Sequence, residues 1–261
     1  MSVIRVRDAS FGYSGEPVVH DATVTVERGT LTVVLGENGS GKSTLVKGML
    51  ELIPLLSGSL QLFGHDATAS DRRRIGYVPQ RTTVAGGIPV TVRELVTSGR
   101  TASRRPFSPL RATERAAVDA ALDAVRLRDR AHDPVSALSG GQQRRALIAR
   151  ALAGQPELLI MDEPMAGVDA TNVELLAGAM VDWKQQGMTL VVVAHGAGPL
   201  RPLVDHAVVM RRGRVGYEGP LTDALDAEYA DHILEDHRDV PGRTVRVPEE
   251  PHLAPSPRRE P

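Results

Sequence analysis

Leu31-Thr32-Val33-Val34-Leu35, followed by Gly36-Glu37-Asn38-Gly39-Ser40-Gly41-Lys42-Ser43-Thr44, is the stretch whose reading decides the fold. A short apolar run ends in glycines, and good helix formers follow from Lys42 to Leu52, with Leu45, Val46, Met49 and Leu52 on one face. Strand, glycine loop and helix in that order fit the pattern G-x-x-x-x-G-K-[ST]. The glycines let the backbone wrap so that its N–H groups point inward at an anion, and the helix start adds its positive dipole end. Lys42 supplies a point charge for β- and γ-phosphates, and the Ser43 hydroxyl can bind Mg²⁺. A bare glycine-rich turn with a stray lysine would need neither the strand before it nor the helix after it.

Further along, Leu158-Leu159-Ile160-Met161 runs straight into Asp162-Glu163. A buried strand that delivers two carboxylates at its carboxyl end places them where α/β sheets bind ligands. Asp162 suits Mg²⁺, and Glu163 suits a general base that polarises a water. The competing reading, a strand meeting a solvated acidic turn, loses ground once a phosphate loop precedes it. Leu138-Ser139-Gly140-Gly141-Gln142 places Ser139 at a helix N-cap with two glycines baring backbone N–H groups, a second anion-binding turn. An ordinary capped helix start explains the same residues.

Between these motifs the pattern alternates. Val3, Ile4 and Val6 read as strand; Thr113–Val125 and Ser139–Ala153 as helices; Leu190–Ala194 as an all-apolar strand; and 207–217 as a hairpin. Thr171–Gln186 reads as a helix with a capping box of Thr171 and Glu174 and with Gly187 at its end. Apolar strands alternating with helices indicate an α/β fold. Residues 82–135 break the rhythm and read as a helical insertion. From about Asp239 the chain turns Pro-, Arg- and Glu-rich, so 239–261 is expected to be a disordered tail.

The 261 residues are 41% hydrophobic and only 3% aromatic, so the core has to be aliphatic. With 31 basic and 32 acidic residues there is no basic excess to bind nucleic acid. The absence of cysteine rules out disulfides, thiolate metal ligands and a cysteine nucleophile. No stretch approaches the roughly 18–20 apolar residues of a membrane helix, and Met1–Arg7 lacks a signal-peptide core. Any work at a membrane is therefore expected to go through a partner.

The order of phosphate loop, Leu-Ser-Gly-Gly-Gln and apolar-Asp-Glu-Pro resembles the ATP-binding cassette (ABC) family over about residues 3–220. That resemblance implies a P-loop NTPase of the ABC type: a RecA-like α/β core, an antiparallel β subdomain and a helical subdomain at approximately 82–153, all within 1–238. It also implies ATP and Mg²⁺ as cofactors. In the family two cassettes face head to tail, and each ATP lies between one chain's phosphate loop (Gly36, Asn38, Gly39, Ser40, Gly41, Lys42, Ser43, Thr44) and the other's signature (Ser139, Gly140, Gly141, Gln142). This implies a second cassette as partner, with a homodimer expected.

The resemblance assigns further residues. Tyr13 matches the aromatic that stacks on adenine; a core aromatic is the alternative. Gln80 matches the glutamine that reaches Mg²⁺ and the attacking water while touching the transmembrane partner, and His195 matches the switch histidine on the γ-phosphate. Ala166-Gly167-Val168-Asp169 matches the loop that couples the two sites. The chain departs from the pattern at Gly196, where an acidic residue is common, at Arg144, where a glutamine or another polar residue is common, and at Met165, where a Ser, Thr or Phe is usual. Arg144 receives no role from the sequence.

The resemblance also implies permease partners in the membrane, a cytoplasmic position on its inner face and an extracytoplasmic substrate-binding protein. Ile88-Pro89-Val90-Thr91-Val92 and Gly167-Val168-Asp169 are similar to zinc/manganese importer cassettes. Other small cargo, export, a non-transport cassette acting in DNA repair or translation, and a regulatory subunit without turnover are the competing readings. The intact set Lys42, Asp162, Glu163 and His195 argues against the last of these.

Overall fold

The computed structural model describes residues 1–68, 71–80, 90–100 and 110–221. The readings of Ile88 and Pro89 and of the tail at 239–261 lie outside the described residues.

β3 (Leu31–Leu35), β7 (Leu158–Asp162) and β8 (Thr189–Val193) are buried at every residue. Strands apolar on both faces must be covered on both. Leu159, Met161, Leu190 and Val192 face one core, against α2 (Val92–Ser98), α3 (Ala112–Ala124), α4 (Gly140–Ala153) and α5 (Ala170–Gln185). The alternate residues Leu158, Ile160, Val191 and Val193 face the other, against α1 (Lys42–Met49) and a second sheet. This is the period of two that a strand imposes.

The larger sheet also contains β6 (Ile75–Val78), β9 (His206–Arg211) and β10 (Arg214–Gly219), in the order β10-β9-β3-β8-β7-β6. All of its neighbours pair in parallel except the β9–β10 hairpin, which turns at Arg212-Gly213 as expected. The second sheet is antiparallel: β1 (Ser2–Tyr13), β2 (Glu16–Glu27), β4 (Leu55–Leu62) and β5 (His65–Asp66), in the order β2-β1-β4-β5. Between β6 and β7 the described chain is helical and contains no strand, only a bridge between Thr91 and Pro134. No helix among the described residues is long and apolar enough to cross a membrane.

Two expectations need correction. Leu52 does not join the apolar face of α1. The helix stops at Met49, Glu51 takes φ 52°, and Leu52 is left 55% exposed. Nor is α5 capped by Thr171 and Glu174. Asp169 is the N-cap: its carboxylate accepts from Asn172 N at 3.1 Å and from Asn172 Nδ2 at 2.6 Å. The Asp169 carboxylate stands just before the helix and takes the free N–H of Asn172, whereas Thr171 is already inside the helix and cannot cap it.

Phe11 joins the two layers. Its ring lies so close to α1 that a Cβ at Gly48 would stand 2.4 Å from it. Gly48→Ala gains roughly 1 kcal/mol of helix propensity, but overpacking a filled core costs about 1–3 kcal/mol. Phe11 is fully buried and cannot yield cheaply, so overpacking wins. A thermal midpoint a few degrees lower by circular dichroism is the expected result; an unchanged or higher midpoint would show that the ring moves freely.

Candidate active site

The order β3-β8-β7-β6 places four carboxyl ends side by side at the strand spacing of about 4.8 Å. Beyond β3 comes the phosphate loop, beyond β8 His195, at the end of β7 Asp162 and Glu163, and beyond β6 Gln80. Residues scattered over more than a hundred positions of sequence therefore form one row.

The loop wraps as its glycines allow. Gly36 takes φ 143°, and a Cβ there would meet the Met210 carbonyl at 2.3 Å. Ser40 is buried with its hydroxyl unpartnered, while Asn38 and Gly39 are exposed at the tip. Gly41 is the N-cap of α1 and offers no side-chain cap, so the N–H groups of the first turn, where Ser43 and Thr44 lie, are left to an outside acceptor. Lys42 Nζ folds back onto the loop, donating to the carbonyls of Gly36 at 2.7 Å and Glu37 at 2.9 Å. Burial pushes this ammonium below its ordinary value, while Glu163 and Asp162 pull it back up. An anion entering the loop finds the lysine already inside it.

Glu163 is the convergence point. Gln80 Nε2 donates to its Oε2 at 2.5 Å, and His195 Nε2 lies 3.1 Å from its Oε1. Its backbone takes φ 49°, and its N–H donates to Val193 O at 3.0 Å. Asp162, 2% exposed, has Oδ1 without a partner. Burial pushes its carboxyl up; a hydrogen bond from Ser43 opposes this, and the charge of Glu163 adds to the rise. On β6, burial and then the Asp162 charge push the Tyr77 hydroxyl up to about 12.

Arg144, given no role by the sequence, reaches this row from α4. One Nη donates to Pro79 O at 2.9 Å and Gln80 O at 2.7 Å; the other donates to Asp162 O at 2.5 Å and Glu163 O at 2.7 Å. Burial pushes the guanidinium below its ordinary value, and Asp162 and Glu163 act against that. Its position carries a readable signal: Arg144, Leu147, Ile148 and Ala151 share the i, i+3, i+4, i+7 stripe of a buried helix face. A charge on such a stripe needs partners.

The signature stands apart from the row, at the start of α4. Ser139 and Gln142 form a reciprocal capping box, with Gln142 N donating to Ser139 Oγ at 3.3 Å and Ser139 N donating to Gln142 Oε1 at 2.9 Å. Gly140 is exposed, and Gly141 lies against Asn172, which is held by Asp169, so the signature and the 166–169 loop adjoin within one chain. Tyr13 closes β1 with 46% of its surface exposed, which removes the reading of a core aromatic. Gly196 borders open space, and His195 reaches Glu163 without an acidic neighbour. Met165 packs onto the α-helical core.

The ABC transporter family profile matches residues 19–166. A zinc uptake system ATP-binding protein of Listeria innocua, ZurA, is 37% identical over 220 residues, covering 83% of this chain and 85% of that protein. A manganese transport system ATP-binding protein of Bacillus subtilis, MntB, is 34% identical over 231 residues, 87% of this chain and 90% of that one. A dimeric bacterial ABC transporter cassette superposes with a TM-score of 0.72 at 25% identity, covering 84% of this chain and 99% of that one. Phosphate loop, paired carboxylates and signature thus occur together on a matching fold: the chain belongs to the ABC transporter family, as one of its ATP-binding and ATP-hydrolysing subunits.

Proposed function

We propose that this chain energises the import of a divalent metal ion, zinc or manganese, by hydrolysing ATP at the row of strand ends. The observation that carries the hydrolytic part is the convergence of Gln80 and His195 on Glu163, beside a phosphate loop that already holds Lys42. The phosphates of ATP enter the loop and draw Lys42 from the carbonyls of Gly36 and Glu37. Glu163 takes a proton from the attacking water as that water adds to the γ-phosphorus and the bond to the leaving ADP oxygen breaks. Gln80 and His195 orient the carboxylate and that water, and Tyr13 offers its exposed ring to adenine.

Mg²⁺ fits the residues present. Asp162 keeps one buried oxygen without a partner and is bonded by Ser43, a set of oxygen ligands that suits a hard cation. Ser43, Asp162 and Gln80 would hold the ion. Bound there, it offsets negative charge on the phosphate oxygens.

Two anion-binding turns on one chain exceed what one nucleotide can engage from one side. Ser139, Gly140, Gly141 and Gln142 therefore serve the ATP held by a second copy, with Asp169 beside them coupling the two sites. Permease subunits dock near Gln80 and hold the chain on the inner face of the membrane, and an extracytoplasmic binding protein delivers the cargo. The metal assignment is supported by the zinc and manganese systems of the relatives. Deleting the gene in its host and measuring cell-associated metals tests it: a loss of zinc or manganese uptake is expected, and unchanged levels of both metals under limitation would overturn the cargo.

A further inference from the structure

We infer that Arg144 is a positioning residue for hydrolysis: it clamps the ends of β6 and β7 together and so fixes Gln80 against Glu163. The inference rests on the reading of Glu163 as the base. The β6–β7 ladder ends at the pair Val78 and Met161. Just past it, the carbonyls of Pro79, Gln80, Asp162 and Glu163 all turn to one guanidinium. All the terminal N–H groups of Arg144 are thereby used, two on each strand, while its Nε is buried without a partner.

A planar fork with fixed angles suits this task, and a lysine's single rotatable head does not. The four acceptors belong to the two residues whose side chains meet at 2.5 Å and to their immediate neighbours. A shift in either strand end therefore changes that contact. Burying a guanidinium among neutral carbonyls is costly in itself. The nearby charges of Asp162 and Glu163 offset that cost, so the clamp and the carboxylates hold each other in place.

Arg144 also shares α4 with the signature. It lies five residues past the Ser139 cap, about 7.5 Å along the helix axis. The turn offered to the partner's nucleotide and the clamp on this chain's own base are thus parts of one rigid element.

The test uses the full chain carrying Arg144→Met and, separately, Arg144→Lys, with Glu163→Gln as reference. For Arg144→Met we expect kcat to fall about tenfold or more, because small misplacements of reacting groups are costly. The dissociation constant for a fluorescent ATP analogue should stay within about threefold of the native value, since the clamp does not touch the phosphate loop. Arg144→Lys should recover part of kcat. Amide hydrogen exchange should quicken in peptides covering 77–80 and 158–163 and stay unchanged across 42–49.

A native kcat in Arg144→Met overturns the proposal, as does a loss of nucleotide affinity in step with kcat. Should Arg144→Met fail to fold, Arg144→Lys carries the test: it must lower kcat and quicken exchange at the strand ends, and native values for both sink the idea. The two readings fail separately. A fully active Glu163→Gln overturns the base, while exchange at 77–80 and 158–163 still judges the clamp. An inactive Glu163→Gln beside a native-like Arg144→Met overturns the clamp alone.

Discussion

Replacing Glu163 by Gln is expected to lower steady-state ATP hydrolysis by a factor of about 100–10,000, the usual worth of a positioned general base, while ATP binding persists. The substitution keeps the shape of the side chain. The amide oxygen can still accept from Gln80 Nε2, which now lies 2.5 Å from the carboxylate, so the row of strand ends keeps its geometry. What disappears is an oxygen basic enough to take the proton of water. ATP that binds and is not consumed should hold two chains together, so the variant is expected to elute as a dimer in ATP and as a monomer without it. Phosphate release and size-exclusion chromatography measure the two effects. Turnover within about twofold of native would remove Glu163 from the role of base.

Lys42→Met is expected to act at binding instead. The ammonium is the cation enclosed by the loop, held at 2.7 Å and 2.9 Å from its carbonyls. Charge-assisted hydrogen bonds are worth about 1.5–3 kcal/mol each. Losing those made to the β- and γ-phosphates should therefore raise the ATP dissociation constant by about a hundredfold, the equivalent of roughly 3 kcal/mol. The nucleotide-free fold should change little. The variant gives up a buried charge that burial already disfavours, and it leaves two loop carbonyls to find water. Differential scanning fluorimetry separates the two effects. Native chain should gain thermal stability on adding ATP by mass action; the variant should start near the same midpoint and gain almost nothing. An equal gain in both would show that the lysine only plugs its loop.

Legibility in the sequence followed physical distinctness. β3, β7 and β8 are buried on both faces and so appear as unbroken apolar runs. α3 and α4 carry a 3.6-residue stripe and lay within a residue of where the spacing placed them. β2 and β4 left no such mark, because half of the first and most of the second face solvent, and the first five residues of β4 are exposed. Their place in a second sheet came only from the family resemblance. In the site, Glu163, Asp162 and Lys42 were legible because acids at a strand end and a lysine after glycines are rare combinations. Gln80 and His195 depended on the resemblance. Arg144 was missed because no pattern asked for it, although its place on the buried stripe of α4 was visible. Its partners are backbone carbonyls, which no side-chain motif records.

Between β6 and β7 the chain leaves the sheet, builds the helices α2, α3 and α4, and returns to the adjacent strand. The helical unit is therefore hung like a door on neighbouring posts. Its length can change without altering the distance between Gln80 and Glu163 so long as the pairing of the posts and the Arg144 clamp just past its end are kept. Because the posts are parallel, the chain leaves at the top of β6, beside Gln80, and re-enters at the foot of β7, so a displacement of the door reaches Gln80 along the chain and Glu163 through Arg144 on α4.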